Sequence, residues 1–207
     1  MEESCLENFW NAYVEKDAGG VNALITNQKF IAPGALTKGF YKLIDKKKAA
    51  SPGGKLLGPL INILPADDIQ LGNIVPVEWL NTTCTIYNKK YLPQPVFDLH
   101  FKGYSLMEDV ALSIRVGKSA RLYNVRNARI FHDTQPGVEK NNVAIMAEME
   151  LVNRYYIMRN IVGMKGWKNY SKLIIQQLYF AMATRLIFRG SFIKGKLKAI
   201  KKIMKRS

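Results

Sequence analysis

Two cysteines and two histidines are all that this 207-residue chain contains. Cys5 and Cys84 are too few for a disulfide framework, and with only His100 and His132 beside them no zinc-binding spacing forms. Both thiols therefore read as reduced and packed, in a cytosolic protein. No run reaches the ~18 to 20 uninterrupted apolar residues of a membrane span. The opening MEESCLENFW has neither the basic n-region nor the apolar h-region of a signal peptide, so ordinary secretion is not expected. A glycine-rich phosphate loop is missing too, because Gly19-Gly20 and Gly53-Gly54 lack the strand-to-helix setting.

Acid is the scarcest component of the C-terminal part. All 16 Asp and Glu lie in residues 1–150, where 17 Lys and Arg nearly balance them, while residues 151–207 carry 14 basic side chains and no acidic one. A near-neutral body thus precedes a cationic extension. With 48% apolar residues the chain has the composition of a globular domain, not of a disordered one. The extension also mixes aromatics and aliphatics with its charges, so it should be helical and docked.

Along the chain, LENFWNAYVEK after Ser4 has the helix period, with Leu6, Phe9, Trp10 and Tyr13 on one face, and Gly19-Gly20 stops it. VNALIT reads as a short buried strand. A short helix is expected at 36–48, then a SPGGK turn and an apolar stretch broken by Pro59 and Pro65. VPVEWL and TCTIY predict strands, 89–95 a turn, and 107–116 a helix with Glu108 and Asp109 in its first turn. RLYNV and NARIF predict two strands ending on His132-Asp133, before a polar DTQPG loop. From Glu139 onward the pattern predicts helices at 139–162, 168–189 and 191–205. The alternation up to residue 133 predicts an α/β body at 1–138, followed by a basic helical extension at 139–207.

The most specific feature is an ordered series of small motifs: Val77-Glu78-Trp79, Tyr87-Asn88-Lys89, Phe97-Asp98, Phe101 with Gly103-Tyr104, Glu108-Asp109, Arg115 and His132. This series resembles the C-terminal half of the catalytic domain of family 2 glycosyltransferases, the GT-A fold that uses nucleotide-sugar donors. The later YYIMRN at 155–160 resembles the segment that follows the catalytic domain in rhamnosyltransferase-like members. The resemblance covers roughly residues 75–162 and implies transfer of a sugar to a glycan or lipid-linked acceptor in cell-surface polysaccharide synthesis.

An inverting transfer needs a carboxylate to take the proton of the attacking hydroxyl. By the resemblance Asp109 is that base, and Glu108 orients it or contacts the acceptor. Read as bare residues, the two acids equally suit the cap of a helix. Arg115 would hold a carboxylate or phosphate, or else be a solvated helix residue. Trp79 and Tyr104 would face the substrate, although a core tryptophan is the plainer account of Trp79. His132 matches a metal ligand beside the donor diphosphate, or a strand-end histidine bonded to backbone. Thr82-Thr83 and Ala111 depart from the family pattern.

A complete GT-A domain also has a nucleotide-binding half whose Asp-x-Asp carboxylates hold a divalent metal, Mn or Mg. No Asp-x-Asp occurs in this sequence, and Asp67-Asp68 reads as turn chemistry in a Pro-flanked loop. The resemblance therefore implies that the metal and most donor contacts belong to an N-terminal half, as part of a longer enzyme or a separate chain.

The end of the extension carries an independent signal. Ile193, Leu197, Ile200 and Met204 repeat at helical spacing, with Lys194, Lys198, Lys201 and Lys205 one position on. An amphipathic helix of this kind lies in an anionic membrane interface, which places the protein at the inner face of the cell membrane as a peripheral protein. The competing class is a non-enzymatic basic module that binds membrane or nucleic acid through the same helices. Nucleic acid is the weaker partner, because the lysines back onto an Ile/Leu/Met face.

Overall fold

The computed structural model describes residues 2–28, 30–51, 53–133 and 137–205, with the side chain of Ile69 outside the description. Most of the polar loop expected at 133–137 thus lies outside the described residues. The chain is mixed α/β, with a mixed four-stranded sheet and several helices. It divides into two compact units: Met1–Leu57, Ile61–Phe97 and Asp109–Asp133 form the first, and Gly58–Leu60, Asp98–Glu108 and Thr134–Ser207 the second.

The first unit is built on β1 (Gly20–Ile25), whose six residues are all buried. β1 pairs in parallel with β6 (Leu122–Ile130) and antiparallel with β5 (Thr85–Tyr87), and β4 (Ile74–Val77) pairs antiparallel with the far side of β6. A small hairpin, β2 (Leu56–Leu57) and β3 (Ile61–Asn62), forms a second, two-stranded sheet, and α2 (Ala35–Ile44) precedes it in the chain.

On one face of the sheet α1 (Cys5–Glu15) packs Cys5, Phe9 and Ala12 over Val21, Ala23, Ile25, Tyr123, Val125 and Ile130. The helix face differs from the one read in the sequence. Phe9 is buried and Tyr13 packs against the core, but Leu6 and Trp10 stay 64% and 56% exposed. The small Cys5 and Ala12 allow the closer approach to the sheet, so they take the buried side. On the second face Leu112 and Val116 of α3 (Glu108–Gly117) meet Val77, Leu80 and Leu122.

β6 corrects the expectation of two strands. It is continuous, but its pairing with β1 jumps from Ala23↔Val125 to Leu24↔Arg129. Three extra residues reverse the inside–outside alternation, so Tyr123 and Val125 face the α1 core before the bulge, and Ala128 and Ile130 after it. That change of phase makes the segment read as two strands. Arg126, in the bulge and 7% exposed, donates from Nη1 to the Gly72 carbonyl at 2.7 Å and pairs through Nη2 with Asp67 at 3.2 Å. Asp67 also takes Arg129 at 3.0 Å, which holds its carboxyl below the ordinary value. Only Asp68 has the turn chemistry expected of the pair, accepting the Gln70 N–H at 3.0 Å.

The second unit is helical. The helix expected at 139–162 is broken into α4 (Val138–Asn141) and α5 (Val143–Tyr156) by Asn142, whose side chain caps α5 by accepting the N–H groups of Ala144 and Ile145 at 3.1 Å each. α5 ends in a π turn, Ile157–Ile161. α6 (Trp167–Ala183) and α7 (Gly190–Met204) follow. α7 meets α5 through its small residues: a Cβ at Gly195 would stand 2.3 Å from the Ala144 carbonyl oxygen, and Ala199 is fully buried. At the centre, Glu150 accepts Arg154 Nε and Lys196 Nζ, each at 2.5 Å, and Gln177 Nε2 at 3.2 Å. Burial alone would raise this carboxyl, but the two cations overcome it and hold it at about 2.

Candidate functional site

The candidate residues fall in both units: Trp79, Asp109, Arg115 and His132 in the first, Tyr104 and Glu108 in the second. The half-buried Asp109 stands in the first turn of α3, where its Oδ1 accepts the Val110 N–H at 2.8 Å, one of the donors a helix start leaves without an intrahelical partner. Its negative charge also reaches Tyr87. Burial, with a smaller push from Asp109, outweighs the lowering by the Ser113 hydrogen bond and brings the Tyr87 hydroxyl up to about 12. This phenol therefore stays protonated through the physiological range.

Tyr87 Oη lies 3.0 Å from Ser113 Oγ, which also accepts the Leu80 N–H at 2.9 Å. The fully buried Ser113 of α3 thus bonds a neutral phenol that the Asp109 charge also influences. Ser113 was not among the sequence candidates. The available signal was its spacing: four residues beyond Asp109, it shares a helix face with it.

Trp79 is 5% exposed and donates from Nε1 to the Ile63 carbonyl at 3.0 Å, so its ring belongs to the core. The preceding Glu78 takes Lys48 Nζ at 2.6 Å and the Leu56 N–H at 3.0 Å. Arg115 is half-buried and reaches the Val96 carbonyl at 3.4 Å.

His132 follows the C-terminal end of β6, where its backbone N–H and C=O bond the Asn27 amide at 3.0 and 2.9 Å. Tyr87 pairs with Gly20 at the opposite end of β1, and the five-residue advance from Gly20 to Ile25 separates those ends by about 17 Å. His132 is therefore not gathered with the Tyr87 cluster. Among the described residues no three His, Cys, Asp or Glu side chains come together in a set able to hold a metal. His132 offers one imidazole, which is not a divalent-metal site by itself.

In the second unit Glu108 is half-buried, and burial raises its carboxyl above the ordinary value. The loop leading to it holds three left-handed residues in five: Gly103 at φ 66°, Ser105 at 54° and Met107 at 71°. Such conformations cost non-glycine residues on the order of 1 kcal/mol or more and cluster at working sites. Tyr104, 41% exposed, sits in this loop with its N–H bonded to the Glu139 carboxylate and with Lys140 Nζ 5.1 Å from its ring centre.

No family model, curated protein or solved structure matches the chain. The residues themselves carry the functional reading. Further along the second unit, Tyr156 stacks on His100 at 3.7 Å and donates to Asp98 at 2.7 Å, while Arg159 Nη1 donates to Tyr155 Oη at 2.7 Å. The tyrosines, Arg159 and Asn160 singled out in the sequence thus stand around a π turn, a feature frequent at functional sites.

Proposed function

We propose that this chain forms the acceptor side of an inverting family 2 glycosyltransferase of GT-A fold, with Asp109 as the general base. The observation that carries the reading is the half-buried Asp109 in the first turn of α3, whose charge reaches the protonated Tyr87, within the ordered series from Trp79 to His132. In the reaction the acceptor hydroxyl attacks the anomeric carbon, its proton passes to the Asp109 carboxylate, and the bond to the nucleoside diphosphate breaks with inversion. Glu108, whose carboxyl burial raises above its ordinary value, suits a hydrogen bond to the acceptor. A divalent metal, when bound, would neutralise the departing diphosphate. The Asp-x-Asp that holds it in that family does not occur in this sequence, so donor binding calls for carboxylates from beyond these 207 residues.

The test is sugar transfer from UDP-, GDP- and dTDP-sugars with Mn²⁺, in extracts of cells carrying either the parent protein or Asp109→Asn. Turnover should fall by about 10² to 10⁴, with donor KM within a few-fold, since a lost base acts on the transition state. Turnover within a few-fold of the parent removes Asp109, and the reading with it.

An anionic membrane surface is the proposed location. Ile193, Leu197, Ile200 and Met204 remain 43%, 55%, 45% and 73% exposed, because α7 docks through Gly195 and Ala199 instead. No helix among the described residues is long and apolar enough to cross a membrane, so attachment would be interfacial. Each lysine near anionic lipid contributes about 1 kcal/mol. Replacing Lys194, Lys198, Lys201 and Lys205 by Gln should release the protein from phosphatidylglycerol vesicles at physiological salt. Undiminished vesicle binding refutes this location, and a loss confined to oligonucleotide binding favours the nucleic-acid module.

A further inference from the structure

The exposed stripe of α7 is one wall of a groove. Leu173, Ile174, Leu178 and Ala181 of α6 face Ile193, Leu197, Ile200 and Met204 across a space of about 470 Å³, with an almost wholly apolar lining. From Ile193 to Met204 the groove runs along eleven residues of helix, about 16 Å, the length of a medium alkyl chain.

Tyr155, on the lining of this groove, also lines a smaller pocket of about 140 Å³, whose other walls include His100, Tyr156, Arg159, Asn160 and Lys202. His100 and Lys202 also line a third pocket of about 370 Å³, where Lys102 adds another cation. Glu148, which stands 3.4 Å from Lys202, is the carboxylate that lines these spaces, and with Lys102, Arg159 and Lys202 there the lining cations outnumber it. All three spaces belong to the second unit.

An apolar groove that adjoins a pocket with cationic and hydrogen-bonding groups is complementary to an amphiphile with an anionic head. Arg159 stands on the π turn and offers the forked guanidinium geometry that suits phosphate. We propose that the second unit binds a phosphorylated single-chain lipid, with its hydrocarbon in the α6–α7 groove and its phosphate against Arg159 and Lys202. The proposal deepens the glycosyltransfer reading by naming the acceptor as lipid-linked through phosphate, and it rests on that reading only for this biological role. Binding itself stands on the groove and the cations alone.

Calorimetry on the full chain tests it with dodecyl phosphate, dodecyl maltoside and inorganic phosphate, the two amphiphiles below their micellar concentrations. Dodecyl phosphate should bind at least tenfold more tightly than either of the others. The double variant Arg159→Gln, Lys202→Gln should weaken dodecyl phosphate by ten- to hundredfold and leave dodecyl maltoside unchanged. Leu178→Asp, at a position 52% exposed and so tolerant of the change, should weaken both amphiphiles and leave inorganic phosphate unchanged. Circular dichroism of each variant checks its folding. Equal affinity for the two dodecyl compounds, equal affinity for dodecyl phosphate and inorganic phosphate, or indifference to either set of substitutions overturns the proposal. A chain that binds dodecyl phosphate but shows no Asp109-dependent transfer keeps this site and loses the glycosyltransfer reading; the reverse result loses the site alone.

Discussion

Glu150→Ala removes the anion at the centre of the ion cluster of the second unit. The carboxylate stands 2.5 Å from both Arg154 Nε and Lys196 Nζ, whose side chains are only 9% and 15% exposed. Arg154 also donates to the Pro59 and Leu60 carbonyls, so it cannot swing into water without releasing that turn. Removing the anion leaves two confined cations facing each other, a defect that costs about 3 to 5 kcal/mol. The titration leads to a similar size: a carboxyl lowered from 4.5 to about 2 contributes roughly 3 kcal/mol, at about 1.4 kcal/mol per pKa unit. Because the folded-state value is the lower one, this stability is present above pH 4.5 and is lost as pH falls from 4.5 towards 2. Urea unfolding followed by far-UV circular dichroism measures both effects. At pH 7 the midpoint of the variant should fall by about 1 to 5 M, given slopes of about 1 to 3 kcal/mol/M. Near pH 2 parent and variant should converge. A variant within 1 kcal/mol of the parent at pH 7, or a gap that does not change with pH, refutes the assignment of Glu150 as the anion that holds α5 to α7.

Other perturbations separate the remaining elements. Tyr87→Phe should cost about 1 kcal/mol in the same urea assay, whereas Ser113→Ala should cost up to about 3, because it strands the buried Leu80 N–H. A larger loss for the tyrosine would reverse that hierarchy. Gly195→Ala drives a methyl into the Ala144 carbonyl and should destabilise by about 1 to 3 kcal/mol, although alanine is the better helix former. A stabilised variant would show that α5 and α7 do not approach this closely.

Much of the local structure was legible in the amino-acid order. The all-buried run of β1, the helix opened by Glu108-Asp109 and the apolar stripe of α7 follow from period, turn residues and charge, which act between near neighbours. The charge asymmetry, too, needed only counting. What each element packs against was decided elsewhere. α1 offers apolar residues around most of its circumference, and the sheet selected Cys5, Phe9 and Ala12 because small residues let the helix sit close. The same selection turned the small face of α7 inward and left its aliphatic stripe as the wall of a groove. A change of alternation within β6 looks in sequence like a strand ending; only pairing with β1 shows that the chain continues through a bulge held by Arg126 and Asp67. For the candidate site, the order of motifs ran Trp79, Asp109, His132. The fold placed Trp79 in the core, set Ser113 and Tyr87 near Asp109, and put His132 at the far end of the sheet from Tyr87. Residue spacing governs which side chains share a face of one element, but closeness between elements depends on strand register and helix packing, set by burial and hydrogen bonding across the whole unit.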